Sequence, residues 1–170
     1  NISRPTIIIS PGGGYTYCAE HEATCVANFY NSKMIHAIVV YYRETQDTYP
    51  MPQLCLAEAI KDAQKDKRTT KVIGIGFSAG GHNIIEVGLH PNEYKIKGLD
   101  LLIASYPVVT SDKRYWHEGS FNNLLKEDIT NETLLTRYSL ETQVTEISPD
   151  VFLWTTFTEE FVDVKNSMLL

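Results

Sequence analysis

The stretch "KVIGIGFSAGGHNIIEVG", residues 71–88, sets one serine, Ser78, among glycines where an apolar run passes into a helical pattern. "KVIGIGF" (71–77) has the near-continuous apolar character of a strand covered on both faces, and "AGGHNIIEVGLH" (79–90) reads as a helix stopped by Pro91. A chain that passes from strand to helix within a residue or two must turn sharply. Side chains two positions before and after the turning residue would then collide. Glycine at both places in "GFSAG" (76–80) meets that demand, so G-x-S-x-G predicts a hydroxyl held up on a strained turn at a helix N-terminus, where the dipole favours negative charge. Gly81, next along, predicts that this helix packs close to a neighbouring element.

The same residues also satisfy G-x-G-x-x-A over "GIGFSA" (74–79), a loop that would bring a dinucleotide pyrophosphate to the helix. Two details count against it. Two strand-like runs precede this one, and the acid wanted at the end of the next strand is missing: residues 104–107 are "ASYP", with Asp100 at that strand's beginning.

On either side of this stretch, strands are expected at "TIIIS" (6–10), "HAIVVYY" (36–42), "LDLLIASY" (99–106) and "VFLWTTF" (151–157). Between them, residues 19–32 carry Ala23, Val26, Ala27 and Tyr30 at helical spacing. A second helix opens at Pro50 and Pro52 with Leu54, Ala57, Ile60 and Ala63 on one face. Strands alternating with helices predict a three-layer α/β/α domain with a mostly parallel sheet and right-handed crossovers. Residues 108–148 break the rhythm and read as a lid-like insertion of short helices and loops within a single domain, 1–170.

Composition narrows the function classes. Hydrophobic residues make up 43% of the 170 and charged residues 21%, an ordinary globular balance. The net charge of −6, with no basic cluster to offset it, argues against nucleic acid as a partner. No apolar run is long enough to span a bilayer, and "NISRPTIIIS" is no signal peptide. The three cysteines, Cys18, Cys25 and Cys55, lack CxxC spacing and are expected as buried thiols, with neither a disulfide framework nor a metal site. That pattern favours a cytoplasmic location over the sequons at Asn1 and Asn131.

In a parallel sheet, ligands gather at the carboxyl ends of the strands, where "PGGGY" (11–15), "GFSAGG" (76–81) and "TFTEEF" (156–161) all fall. A glycine loop upstream of such a serine can present backbone N–H groups to an oxyanion without side chains in the way. That pairing favours the hydrolytic reading of Ser78 over the dinucleotide one.

With these residues in hand, the chain resembles the α/β-hydrolase superfamily in its acetyl-esterase-like branch of acetylxylan esterases, feruloyl esterases and esterase/lipases. The matching stretches are "PGGGY", "VVYYR" (39–43) with "YPMP" (49–52), "GFSAGGH" (76–82), "YPVV" (106–109), "GSFNNLL" (119–125), "SLETQV" (139–144) and "FLWTTFTEEFVDVKNS" (152–167). The resemblance implies a serine hydrolase of short-chain or acetyl esters, carbohydrate-linked ones included, with no cofactor and a small-molecule ester as its partner. By position it implies Ser78 as nucleophile, the amides of Gly13, Gly14 and Ala79 as oxyanion hole, and Glu159 where the family carries its triad aspartate. The family's final block departs here at Thr155, Thr158 and Asp163, and Asp163 is the other candidate acid.

Tyr15, Tyr115, Trp116 and His117 are expected near the substrate. The triad histidine has no match: His21, His36, His82, His90 and His117 all precede Glu159. His82 is expected as a structural hydrogen-bonding residue. The family's flanking strands are also missing, which predicts spatial strand order 4-3-5-6-7 in family numbering. It also predicts a chain incomplete at both ends, or a short inactive relative that binds an ester, sugar or protein in the old cleft.

Overall fold

Five runs of β-branched and leucine-rich sequence pair into one parallel sheet in the computed structural model, which describes residues 2–42 and 48–170. Asn1 and Arg43, named above in a sequon and in "VVYYR", lie outside the described residues. The strands are β1 (Arg4–Ser10), β2 (His36–Val39), β3 (Thr69–Phe77), β4 (Leu101–Ser105) and β5 (Val151–Trp154), in spatial order β2-β1-β3-β4-β5. This is the order that the family numbering predicts. The helices are α1 (Thr24–Ser32), α2 (Met51–Lys65), α3 (Ala79–Leu89), α4 (Pro91–Tyr94), α5 (Glu118–Leu125), α6 (Glu132–Arg137) and α7 (Lys165–Leu169).

Several strands end sooner than the apolar runs suggest, because a parallel strand stops where its neighbour turns. β2 follows β1 only to the pair Ile9↔Val39; β1 then reaches Pro11, which has no N–H to give. β4 stops at Tyr106, whose φ is +38°. β5, paired to it as far as Ser105↔Trp154, stops with it rather than running to Phe157. β3 instead gains two residues at its start, where Arg4 pairs with Thr69.

The helix expected over 19–32 is two pieces, a 3-10 turn at Glu20–Glu22 and then α1, separated at Ala23 (φ −104°, ψ −94°). In α2 the buried face runs through Gln53, Leu56, Ala57, Ile60 and Ala63. Leu54, expected on that face, stands exposed about a third of a turn away. The cysteines also correct the sequence reading: Cys25 and Cys55 are exposed and Cys18 is half-buried.

The main core lies between α2, α3 and the sheet, with Ile8, Leu56, Ile60, Ile84, Ile85 and Leu102 fully buried. Each such side chain contributes about 1.5–3 kcal/mol of transfer free energy. Residues 118–142 form the expected short helices and 3-10 turns, yet Phe121, Leu124, Leu125, Tyr138 and Leu140 lie in the same core. Helix α3 is buried on every side along residues 79–88, so it is the axis against which the rest is placed. No helix among the described residues is long and apolar enough to cross a membrane.

Candidate active site

At Ser78 the backbone adopts φ 52°, ψ −121°, a region that L-residues occupy only when their surroundings force it. The forcing contacts are plain. A Cβ on Gly76 would lie 2.3 Å from the carbonyl oxygen of Gly80, and one on Gly80 would lie 2.1 Å from that of Ser10 and 2.2 Å from that of Pro11. Gly81 packs close as well, since a Cβ there would lie 2.8 Å from the Pro107 ring. The turn is fastened by Ser78 N–H to the Ser105 carbonyl (3.0 Å), and the Ser78 carbonyl accepts from the amides of His82 and Val108 (both 3.1 Å). Ser78 is half-buried and borders a cleft of about 440 Å³.

Beside Ser78 the glycine loop lines the same cleft. Gly13 (φ +126°) and Gly14 (φ +60°) both need backbone conformations that side chains disfavour. The Gly12 carbonyl accepts from Ala19 N–H (2.9 Å), the Gly13 carbonyl from Thr16 N–H (2.9 Å) and the Gly14 carbonyl from the Asn123 side-chain amide (2.8 Å). With those carbonyls held from behind, the amides of Gly13, Gly14 and Ala79 take no acceptor among the described residues. Three N–H groups without a protein acceptor beside a hydroxyl form an arrangement able to hold a developing oxyanion.

Glu159 borders the same cleft, and one of its carboxylate oxygens accepts from the Phe161 amide (3.2 Å). Asp163 does not line the cleft; its carboxylate accepts from Lys165 N–H (2.8 Å) at the start of α7. The structure thus brings Ser78, Gly13, Gly14 and Glu159 together and leaves Asp163 aside.

His21 and His117 also line the cleft, and neither is hydrogen-bonded to Ser78 or Glu159 among the described residues. His117 Nδ1 accepts from the Ser120 amide (3.2 Å) and lies 2.8 Å from the Ser120 hydroxyl, so that nitrogen is unprotonated. Burial holds its pKa below the ordinary value. His82 is enclosed: the Tyr15 hydroxyl donates to Nδ1 (2.8 Å) and Nε2–H donates to the Tyr138 carbonyl (2.9 Å). Burial lowers its pKa to about 4, which keeps it neutral. His36 opens β2 at the far end of the sheet, and His90 caps α3 through the Glu86 carbonyl.

Tyr15 does not line the cleft. It is 1% exposed and points into the core against His82 and Tyr42. The positive φ at Tyr15 (58°) turns its side chain inward and leaves Tyr17, two residues on, to border the cleft. Tyr115 and Trp116 line an adjoining hollow with Glu159 and Phe161, and the Trp116 ring stacks on Phe121 at 5.8 Å. The dinucleotide alternative loses its acid altogether. Asp100 accepts from Val72 N–H (2.8 Å) at the opposite end of the sheet from Ser78.

Three residues escaped the sequence reading. Asn166 is fully buried: its oxygen accepts from the amides of Val109 (2.8 Å) and Thr110 (3.1 Å), and its nitrogen donates to the carbonyls of Tyr115 (2.8 Å) and Asp163 (3.1 Å). Asn123 steadies Gly14. Glu22 reaches inward to Gly12 and Tyr106. No periodicity marks any of them; "GSFNNLL" and "VKNS" carry two of them only as letters of a motif.

No family model matches the chain. It is 33% identical over 187 aligned residues to endo-1,4-beta-xylanase B of Butyrivibrio fibrisolvens, covering 99% of this chain and 29% of that protein. It is 29% identical to the acetylxylan esterase of Xylanibacter ruminicola, over 85% of this chain and 31% of that protein. The chain therefore spans about 30% of the length of these curated relatives. Among solved structures, the acetyl ester-xyloside bifunctional hydrolase of Caldicellulosiruptor lactoaceticus superposes with a TM-score of 0.90 at 33% identity, covering 99% of this chain and 67% of that one. The carboxylesterase Cest-2923 of Lactobacillus plantarum shares the fold at a TM-score of 0.81 and 23% identity, covering 99% of this chain and 66% of that one. The serine turn, the glycine loop, the sheet order and these relatives converge: the chain belongs to the α/β-hydrolase superfamily, in its acetyl-esterase-like branch.

Proposed function

We propose that this chain carries the nucleophile and the oxyanion donors of a serine carboxylic-ester hydrolase that acts on acetyl and other short-chain esters, including carbohydrate-linked ones. The observation that carries this reading is the strained backbone of Ser78, held by glycine contacts on both sides and facing a cleft that Gly13 and Gly14 also line. The Ser78 Oγ attacks the ester carbonyl carbon and gives up its proton to a general base. The resulting oxyanion is held by the amides of Gly13, Gly14 and Ala79. Collapse of the tetrahedral intermediate expels the alcohol, which takes the proton, and leaves an acyl-serine. Water then repeats the sequence and releases the acid.

Glu159 is suited to orient an imidazole and to stabilise its charged form. We assign the base itself to an imidazole supplied from outside the described residues, because no histidine within them is bonded to Ser78. The substrate preference is supported by the acetylxylan esterase and the acetyl ester-xyloside hydrolase among the relatives.

Release of acetate from p-nitrophenyl acetate and from acetylated xylo-oligosaccharides by the full-length protein tests the proposal. Ser78→Ala is expected to lower kcat by about 10³-fold or more. The absence of any histidine bonded to Glu159 among the described residues favours the second reading, a binding protein built on this cleft. Binding of an acetylated sugar without turnover would establish that reading instead.

A further inference from the structure

Glu22 is 8% exposed, belongs to neither the nucleophile turn nor the glycine loop, and borders the Ser78 cleft. A buried carboxylate needs strong donors. This one has two. Its Oε2 accepts from the Gly12 amide at 2.7 Å and its Oε1 accepts from the Tyr106 hydroxyl at 2.6 Å.

Those donors stand at distinctive places. Gly12 follows β1 and Tyr106 follows β4, the two strands on either side of β3, which itself ends at the serine turn. The carboxylate therefore ties the tops of the two flanking strands across the top of the middle one. The fit is tight: a Cβ on Gly12 would lie 2.7 Å from Glu22 Oε2, 2.9 Å from the Phe77 carbonyl oxygen and 3.1 Å from Ser78 Cβ. Tyr106 is itself fixed, its amide donating to the Trp154 carbonyl (2.6 Å) and its φ positive.

We propose that Glu22 is the positioning residue of the oxyanion hole: its carboxylate, clamped between the Gly12 amide and the Tyr106 hydroxyl, sets the depth of the glycine loop relative to Ser78. Both carboxylate oxygens are engaged, one by the Gly12 amide and one by the Tyr106 hydroxyl, so the carboxylate fixes the loop and takes no part in the chemistry. Freeing Gly12 would let the amides of Gly13 and Gly14 drift. An oxyanion donor that moves out of reach costs about 10²–10³ in kcat when lost outright, so a loosened one costs less. The inference rests on the esterase reading for its kinetic effect and on geometry alone for the tether.

The test compares Glu22→Ala, Glu22→Gln and Tyr106→Phe in the full-length protein, each checked for folding by its unfolding midpoint. Glutamine can keep both bonds, accepting from Gly12 with its oxygen and donating to the Tyr106 oxygen with its nitrogen. Glu22→Ala is expected to lower kcat on p-nitrophenyl acetate about 10- to 100-fold with KM within about twofold, and Glu22→Gln to restore most of it. Hydrogen exchange of the Gly12 amide should speed up in Glu22→Ala and stay slow in Glu22→Gln. Tyr106→Phe should give a smaller fall in the same direction, and it decides the matter if Glu22→Ala does not fold.

Wild-type kcat and unchanged exchange in Glu22→Ala, or in Tyr106→Phe in its place, would overturn the proposal. A loss in Glu22→Gln as deep as that in Glu22→Ala would overturn it too, by assigning the effect to charge. If the wild-type protein hydrolyses nothing, the esterase reading is what fails, and the exchange comparison alone judges the tether.

Discussion

The two sides of the cleft are built on different principles. On one side, Ser78, the glycine loop and α3 are fixed by backbone atoms too close together to admit a single extra carbon at Gly76 or Gly80. On the other, Glu159 sits in a loop whose Phe157 and Phe161 are 87% and 81% exposed, and the loop is anchored to the body through Asn166. The nucleophile and oxyanion donors that we propose need fixed geometry more than they need particular side chains, and a close-packed helix supplies it. The proposed acid loop has only to present a carboxylate, and the buried Val162 and the Asn166 amide hold it to the body.

Breaking the rigid side should therefore cost most. Gly80→Ala would drive a Cβ into the carbonyls of Ser10 and Pro11, neither of which is a flexible side-chain end. We expect a loss of more than about 3 kcal/mol, or no folded protein, by chemical denaturation. Gly98→Ala has nothing within 4 Å of its new carbon and should stay within about 0.5 kcal/mol of wild type.

Asn166→Ala attacks the anchor of the other side. It strands the buried amides of Val109 and Thr110 together with the Tyr115 carbonyl, while the Asp163 carbonyl keeps the Asn166 backbone N–H. A loss of about 2–4 kcal/mol is expected, and proteolysis should become faster within residues 155–165 before it does elsewhere.

A pH titration sharpens the contrast. Burial lowers the His82 pKa from 6.5 to about 4, so the unfolded chain binds the proton more readily than the folded one between those values. His82 thus contributes stability that is complete above pH 6.5 and fades as the pH falls toward 4, by about 3 kcal/mol. Urea midpoints measured from pH 7 to 4.5 should fall more steeply in the wild-type protein than in His82→Gln. Parallel slopes would contradict the enclosed, neutral histidine.

The smallest effect belongs to Phe161→Ala, which should move stability by less than about 0.5 kcal/mol, because its ring is already in solvent. Any change it makes should appear in KM for bulky esters, since Phe161 borders the Ser78 cleft.

The same contrast explains what could be read from the sequence. The serine turn was legible because its requirement is written locally: two glycines at fixed distance from Ser78, between a strand pattern and a helix pattern. The strand order is not written locally; it came from the family resemblance, whose numbering the observed order β2-β1-β3-β4-β5 follows. The inward turn of Tyr15 was not legible, since it depends on a positive φ that no neighbouring residue announces. Nor was Glu22, which in a helical pattern reads as a first-turn acid facing water; its partners lie at the ends of two other strands. Cys25 and Cys55 were misplaced because a thiol's average tendency to be buried says nothing about which side of α1 or α2 it occupies.

Covalent labelling of the full-length protein with a fluorophosphonate probe, followed by peptide mass analysis, asks whether Ser78 is a reactive nucleophile. A hydroxyl lifted into an anion-holding pocket should form a stoichiometric adduct on Ser78 within minutes, and Ser78→Ala should form none. A folded wild-type protein that stays unmodified, or an adduct that persists in Ser78→Ala, would contradict the account.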